Sequence, residues 1–143
     1  NNNSVKWFLE QCENVDIAVF PHQRRETIQQ EADYIQSRLD KNCPYIVPRY
    51  KNELIKEQLS EIFKDKTFVD NHLFASTALI YRNTEQIQNM MIQWWYHTSR
   101  FHTVDQLSLP YVIFKSGCKF KVIPVKRGRN EIQTPYLTLV RYL

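Results

Sequence analysis

An acid and an amide stand together in Thr103-Val104-Asp105-Gln106-Leu107-Ser108-Leu109-Pro110-Tyr111, where a polar stretch passes into a segment of helical periodicity. A helix start after a loop projects polar side chains into a cleft and points backbone N–H groups at an anion. The same spacing also fits an architectural helix start, with Asp105 as N-cap and Ser108 at the third helical position. A second group, Pro21-His22-Gln23-Arg24-Arg25-Glu26, follows a predicted strand, and ligands of open α/β sheets gather at the carboxyl ends of strands. Arg24 and Arg25 can grip a diphosphate bidentately, while His22 can donate a hydrogen bond or ligate a metal. Glu31, about a turn and a half of helix beyond Arg25, is placed to orient that arginine rather than to react. The plain alternative is a basic surface loop.

A third set, His97, Arg100 and His102, follows Trp94-Trp95-Tyr96 and mixes rings with basic groups in a way suited to stacking on a sugar or a nucleobase. Its plain alternative is a core helix with one wet face. Other chemistries lack their residues. Neither HExxH nor its inverse occurs, there is no GxSxG elbow, and no Asp-x-Asp. Gly117 and Gly128 are the only two glycines, too few for a GxGxxG or GxxxxGK[ST] phosphate loop, which argues against a self-contained mononucleotide-binding fold. Cys12, Cys43 and Cys118 match neither a metal-ligand spacing nor a Cys-x-x-Cys pair and read as free thiols, mostly in the core.

The elements that must position these groups alternate between helix and strand patterns, so the class is α/β or α+β. Val5, Phe8, Leu9 and Cys12 mark a short helix capped by Ser4, and Asp16 to Phe20 a buried strand closed by Pro21. A helix over 25–40 places Ile28, Ala32, Ile35 and Leu39 on one face; residues 44–49, between Pro44 and Pro48, read as a loop or short extended piece. An amphipathic helix over 50–64, a strand over 73–82 and an apolar-rich helix over 84–100, capped by Thr84 and read as facing the core, come next. Asp105 opens a short helix ending at Gly117; a strand over 119–124, a basic turn over 126–130 and a last strand-like segment over 136–143 complete the chain.

Length and composition bound what these elements can build. The 143 residues fit one domain with a full core, 43% hydrophobic and 24% charged residues are ordinary globular values, and no run approaches the roughly 18 apolar residues of a membrane span. A net charge of +4 and a pI near 9.0 favour anionic partners: nucleotide diphosphates, acidic glycans or nucleic acid. Basic residues spread among acidic ones argue against a specific nucleic-acid surface. The first residues lack the charged and then apolar run of a signal peptide, and the sequon Asn2-Asn3-Ser4 is too short a pattern to assign a compartment.

The order His22-(x2)-Arg25-(x2)-Ile28-(x2)-Glu31-Ala32, then Leu73-(x5)-Leu79-Ile80-(x)-Arg82, then Trp94-Trp95, then Asp105-Gln106-Leu107-Ser108-(x2)-Tyr111-Val112 resembles the TOD/MUCI-type glycosyltransferase-like family. That family shows HPxRxCIYEEA, IxR, WW and RDQLSFPYV elements in the same order, and the similarity covers about residues 16–124. DQLSLPYV is the most specific match. Gln23 stands where the family has proline, Gln29 and Gln30 where it has Tyr-Glu, and Val104 where it has arginine.

The resemblance implies a GT-A-like mixed sheet flanked by helices, distantly similar to family-eight glycosyltransferases, with this chain as its C-terminal, acceptor-side portion or as a reduced relative. It implies transfer of a sugar from a nucleotide-sugar donor to a glycan or polysaccharide acceptor. Asp105 and Gln106 would line the reaction centre, where an aspartate stabilises an oxocarbenium ion or acts as base. His22, Arg24 and Arg25 would meet the donor phosphates, with Glu31 and Ser108 supporting them. Mn²⁺ or Mg²⁺ is expected from the family, although the Asp-x-Asp that usually holds it is missing. The compartment would be cytoplasmic or membrane-peripheral in a bacterium and the Golgi lumen in a eukaryote. A non-catalytic module binding an anionic glycan or nucleotide is the alternative.

Overall fold

The computed structural model describes residues 2–101, 104–127 and 131–140. Its centre is β1 (Ile17–Pro21), five consecutive buried residues. Their alternation serves two faces, as the period of two in a strand requires. Ile17 and Val19 join Phe74, Ile87, Met90, Leu109, Val112 and Ile113 in one core; Ala18 and Phe20 join Cys12, Ala75 and Ile123 in another. β1 pairs antiparallel with β2 (Phe74–Tyr81) on one side and parallel with β3 (Phe120–Val122) on the other. Helices α5 (Glu85–Phe101) and α6 (Leu109–Ser116) pack on the first face, and α1 (Asn2–Gln11) on the second. The architecture is mixed α/β, a small three-stranded mixed sheet between helical layers. A third cluster, Ile28, Ile35, Ile62, Leu73 and Leu107 among others, joins α2 (Ile28–Asp40) and α4 (Ile55–Lys64) to the flank of the sheet.

Local chemistry sets the element ends. Helix α2 begins at Ile28 rather than 25, because Thr27 is its extended N-cap and takes the Gln30 N–H at 3.1 Å. The Asp70 carboxylate takes the next two orphan donors, from Ile28 at 2.8 Å and Gln29 at 3.0 Å, so this helix start is already satisfied from a distant loop. The expected helix over 50–64 begins only at Ile55, and the expected loop over 44–49 contains the short helix α3 (Val47–Tyr50), where Pro48 fits because the first turn needs no N–H from it. Helix α6 stops at Gly117, whose φ of 65° is the left-handed cap conformation. Arg82 ties the end of β2 to the end of α1, its guanidinium donating to the carbonyls of Cys12, Glu13 and Val15.

A second small antiparallel sheet runs β4 (Lys126–Arg127), β5 (Glu131–Gln133) and β6 (Thr138–Val140). The turn expected over 126–130 thus begins as strand, and its remainder, like 141–143 of the last expected strand, lies outside the described residues. Cys12 and Cys118 are buried thiols, Cys43 is half-buried, and all three are free. Among the described residues no helix is long and apolar enough to cross a membrane. Replacing Asp70 with alanine strips two donors of their acceptor at the start of α2. It is expected to cost about 1–2 kcal/mol, read as a lower urea midpoint at unchanged slope.

Candidate functional site

The β1–β2 ladder jumps from Val19 opposite Leu79 to Phe20 opposite Ala75, leaving residues 76–78 of β2 between two registers. Such an irregularity re-aims side chains that a regular strand would bury or expose in strict alternation. Here the Ser76 hydroxyl donates to Asp105 Oδ1 at 2.8 Å, and Thr77 lines a cavity of about 470 Å³. Asp105 and Gln106, from the 3₁₀ turn Asp105–Leu107, line the same cavity. Asp105 is therefore not the N-cap that its spacing allowed: Val104 holds that position, and the carboxylate is spent on Ser76. The turn is pinned from behind by the Trp94 indole N–H, which donates to the Asp105 carbonyl at 2.9 Å, and by buried Leu107. Ser108 is fully buried beneath it, its hydroxyl 3.4 Å from the same carbonyl.

His22 and Glu31 come to this cavity from the end of β1 and the first turns of α2, and each is only 3% exposed. His22 Nδ1 accepts the backbone N–H groups of Arg24 (3.2 Å) and Arg25 (3.1 Å), which leaves the neutral ring's proton on Nε2, 3.8 Å from Glu31 Oε2. The same Glu31 oxygen pairs with Arg25 Nε. Arg25 lies over the Tyr34 ring at 4.0 Å, and its Nη2 is buried with no hydrogen-bond partner among the described residues. Glu31 thus orients Arg25, and Arg25 backs the cavity rather than lining it. Arg24 is exposed.

Four of the residues singled out from the sequence, His22, Glu31, Asp105 and Gln106, share this cavity. The third set does not join them. His97 is buried elsewhere against Phe101 and Tyr111, where burial pushes its imidazole pKa down; Arg100 is exposed, and His102 lies outside the described residues. Sequence reasoning missed Tyr34, Tyr45 and Tyr50, which supply an aromatic wall, with Arg49 over the Tyr45 ring at 3.8 Å. Tyr34 carried a signal, one turn beyond Glu31 on the same helix face. Tyr45 and Tyr50 carried none, because Tyr45 precedes α3 and α3, which Tyr50 ends, is too short to show a period.

The cavity offers carboxylates, an amide, hydroxyls and rings, a donor and acceptor set suited to a polyhydroxylated ligand. The divalent cation implied by the resemblance does not fit it. Mn²⁺ or Mg²⁺ needs several converging oxygens, and among the described residues no three of His, Cys, Asp and Glu converge; Glu31 is paired with Arg25, and Asp105 is bonded to Ser76. No protein-family model, no curated protein and no solved structure matches this chain.

Behind the turn, Glu53 Oε2 is buried without a hydrogen-bond partner among the described residues. Burial raises the Glu53 carboxyl to about 7, partly offset by the Val104 backbone N–H. Burial, then the Glu53 charge, pushes the Tyr50 hydroxyl up as well. The folded state holds the Glu53 proton more tightly than the unfolded chain does, so ionisation removes stability as pH rises from the ordinary glutamate range through 7. Glu53→Gln mimics the protonated form. Its melting temperature is expected to match wild type near pH 4 and to exceed it by a gap that opens up to pH 8; a gap independent of pH would count against a buried, proton-binding Glu53.

Proposed function

We propose that this cavity is the reaction centre of a glycosyltransferase-like domain, which transfers a sugar from a nucleotide-sugar donor to a glycan or polysaccharide acceptor. In this reading the chain is the acceptor-side, C-terminal portion of a GT-A-like fold. The supporting observation is convergence: His22 and Glu31 from one motif, and Asp105 and Gln106 from another far along the chain, line one cavity. With Oδ1 held by Ser76, Asp105 presents a fixed negative charge to an oxocarbenium-like centre. Gln106 can both donate to and accept from sugar hydroxyls, and the tyrosine wall can stack on a sugar face. The Glu31–Arg25 pair and the His22 ring fix the cavity's edge. No step is assigned to a cation.

A ligand that binds only the native state raises its melting temperature. One class among UDP-, GDP-, CMP- and dTDP-sugars, tested with Mn²⁺ and with EDTA, is expected to do so. Asp105→Asn keeps an acceptor for Ser76 and is expected to fold normally while lowering transfer about 100-fold or more. Full transfer by this variant would remove the assignment. A second reading, a non-catalytic module for an anionic glycan or nucleotide, is favoured by the mutual commitment of Glu31, Arg25 and His22. It expects calorimetric binding unchanged by EDTA, with the sugar never turned over.

A further inference from the structure

The two neighbouring tryptophans of α5 have opposite environments. Trp94 is half-buried and serves Asp105, whereas Trp95 is 71% exposed, with Ile92 61% and Tyr96 43% exposed beside it. The inward stripe of α5 is buried Ile87, Met90, His97 and Phe101 with half-buried Trp94 among them, at spacings of three and four. The opposite stripe, Gln88, Ile92, Trp95 and Ser99, is spaced four, three and four, the alternation of a helix–helix seam. That spacing is a palindrome, unchanged when the helix is reversed about a point between Gln93 and Trp94.

We propose that α5 is the interface of a symmetric dimer, in which it packs antiparallel against α5 of a second copy. A two-fold interface must be self-complementary, and this stripe is. Reversal sets Ile92 against Trp95 of the other copy, and Trp95 against its Ile92, forming an apolar centre of the residue types that carry interface energy. Gln88 meets Ser99, whose hydroxyl donates to the Trp95 carbonyl at 2.6 Å and keeps its lone pairs for the amide. The charges complement too. Glu85 stands exposed at the first turn of α5 and Arg100 at its last, so reversal brings each to the opposite charge of the other copy, twice per dimer. Because Trp94 holds the Asp105 carbonyl from the inner face of the same helix, the contact also braces the wall of both cavities.

Sedimentation velocity and light scattering, from micromolar to hundreds of micromolar, test this on the whole chain. Wild type is expected to dimerise with concentration, and Trp95→Glu or Ile92→Glu, each at an exposed position, to remain monomeric with an unchanged circular dichroism spectrum. Glu85→Arg or Arg100→Glu alone is expected to weaken the dimer about tenfold, and the double exchange to recover most of that loss. A wild type that stays monomeric throughout, a dimer that Trp95→Glu leaves intact, or a double exchange no better than either single variant would overturn the proposal.

Discussion

The Ser76 hydroxyl meets Asp105 Oδ1 at 2.8 Å across the gap between the sheet and the 3₁₀ turn, and each partner gives up a simpler role to do so. Ser76 leaves the regular strand alternation at the register jump of β2, and Asp105 forgoes capping its own turn. A hydrogen bond to a carboxylate is among the stronger polar contacts available to a protein, so it can hold two layers of different origin in one geometry. The Trp94 indole on the Asp105 carbonyl and buried Leu107 fix the turn from the other side. The shape of the cavity follows from this clamp together with Glu31, which lines it and is held by Arg25 from behind.

Charge in the site is organised by sharing. Glu31, almost wholly buried, is compensated by Arg25 and lies near the Nε2–H of His22, while the Nδ1 of that ring gathers the backbone of the loop that carries Arg25. Burying an ionised carboxylate is costly unless it is paired, and removing one partner leaves the other stranded. The loop after β1, the start of α2 and the cavity edge are accordingly one electrostatic unit. The start of α2 belongs to it through Asp70, which occupies donors that a ligand anion would otherwise meet.

Much of this was legible in the chain because it depends on residue type at short range. The apolar run that follows Asp16 up to Phe20, the helical stripe of Ile28, Ala32 and Ile35, the glycine stop at Gly117 and the reach of Glu31 to Arg25 all follow from local pattern and side-chain length. The clamp was not legible. Ser76 and Asp105 meet only because β2 slips register against β1, and register is decided by pairing between segments far apart in sequence. Tyr45 and Tyr50 escaped because one precedes α3 and the other ends it, and α3 is a single turn; the two sides of α5 escaped because an apolar payload at 87–95 does not say which ring turns inward.

We propose that a sugar nucleotide binds in the cavity that Thr77 of β2, Asp105 and Gln106 line. Amide chemical-shift mapping of this 143-residue chain during titration with the four nucleotide-sugar classes tests it most directly. The expected result is a saturable shift centred on Ser76, Thr77, Asp105 and Gln106, with Glu31 and Tyr34 of the same cavity following. Shifts confined to another surface, or spectra that no nucleotide sugar changes, would contradict it.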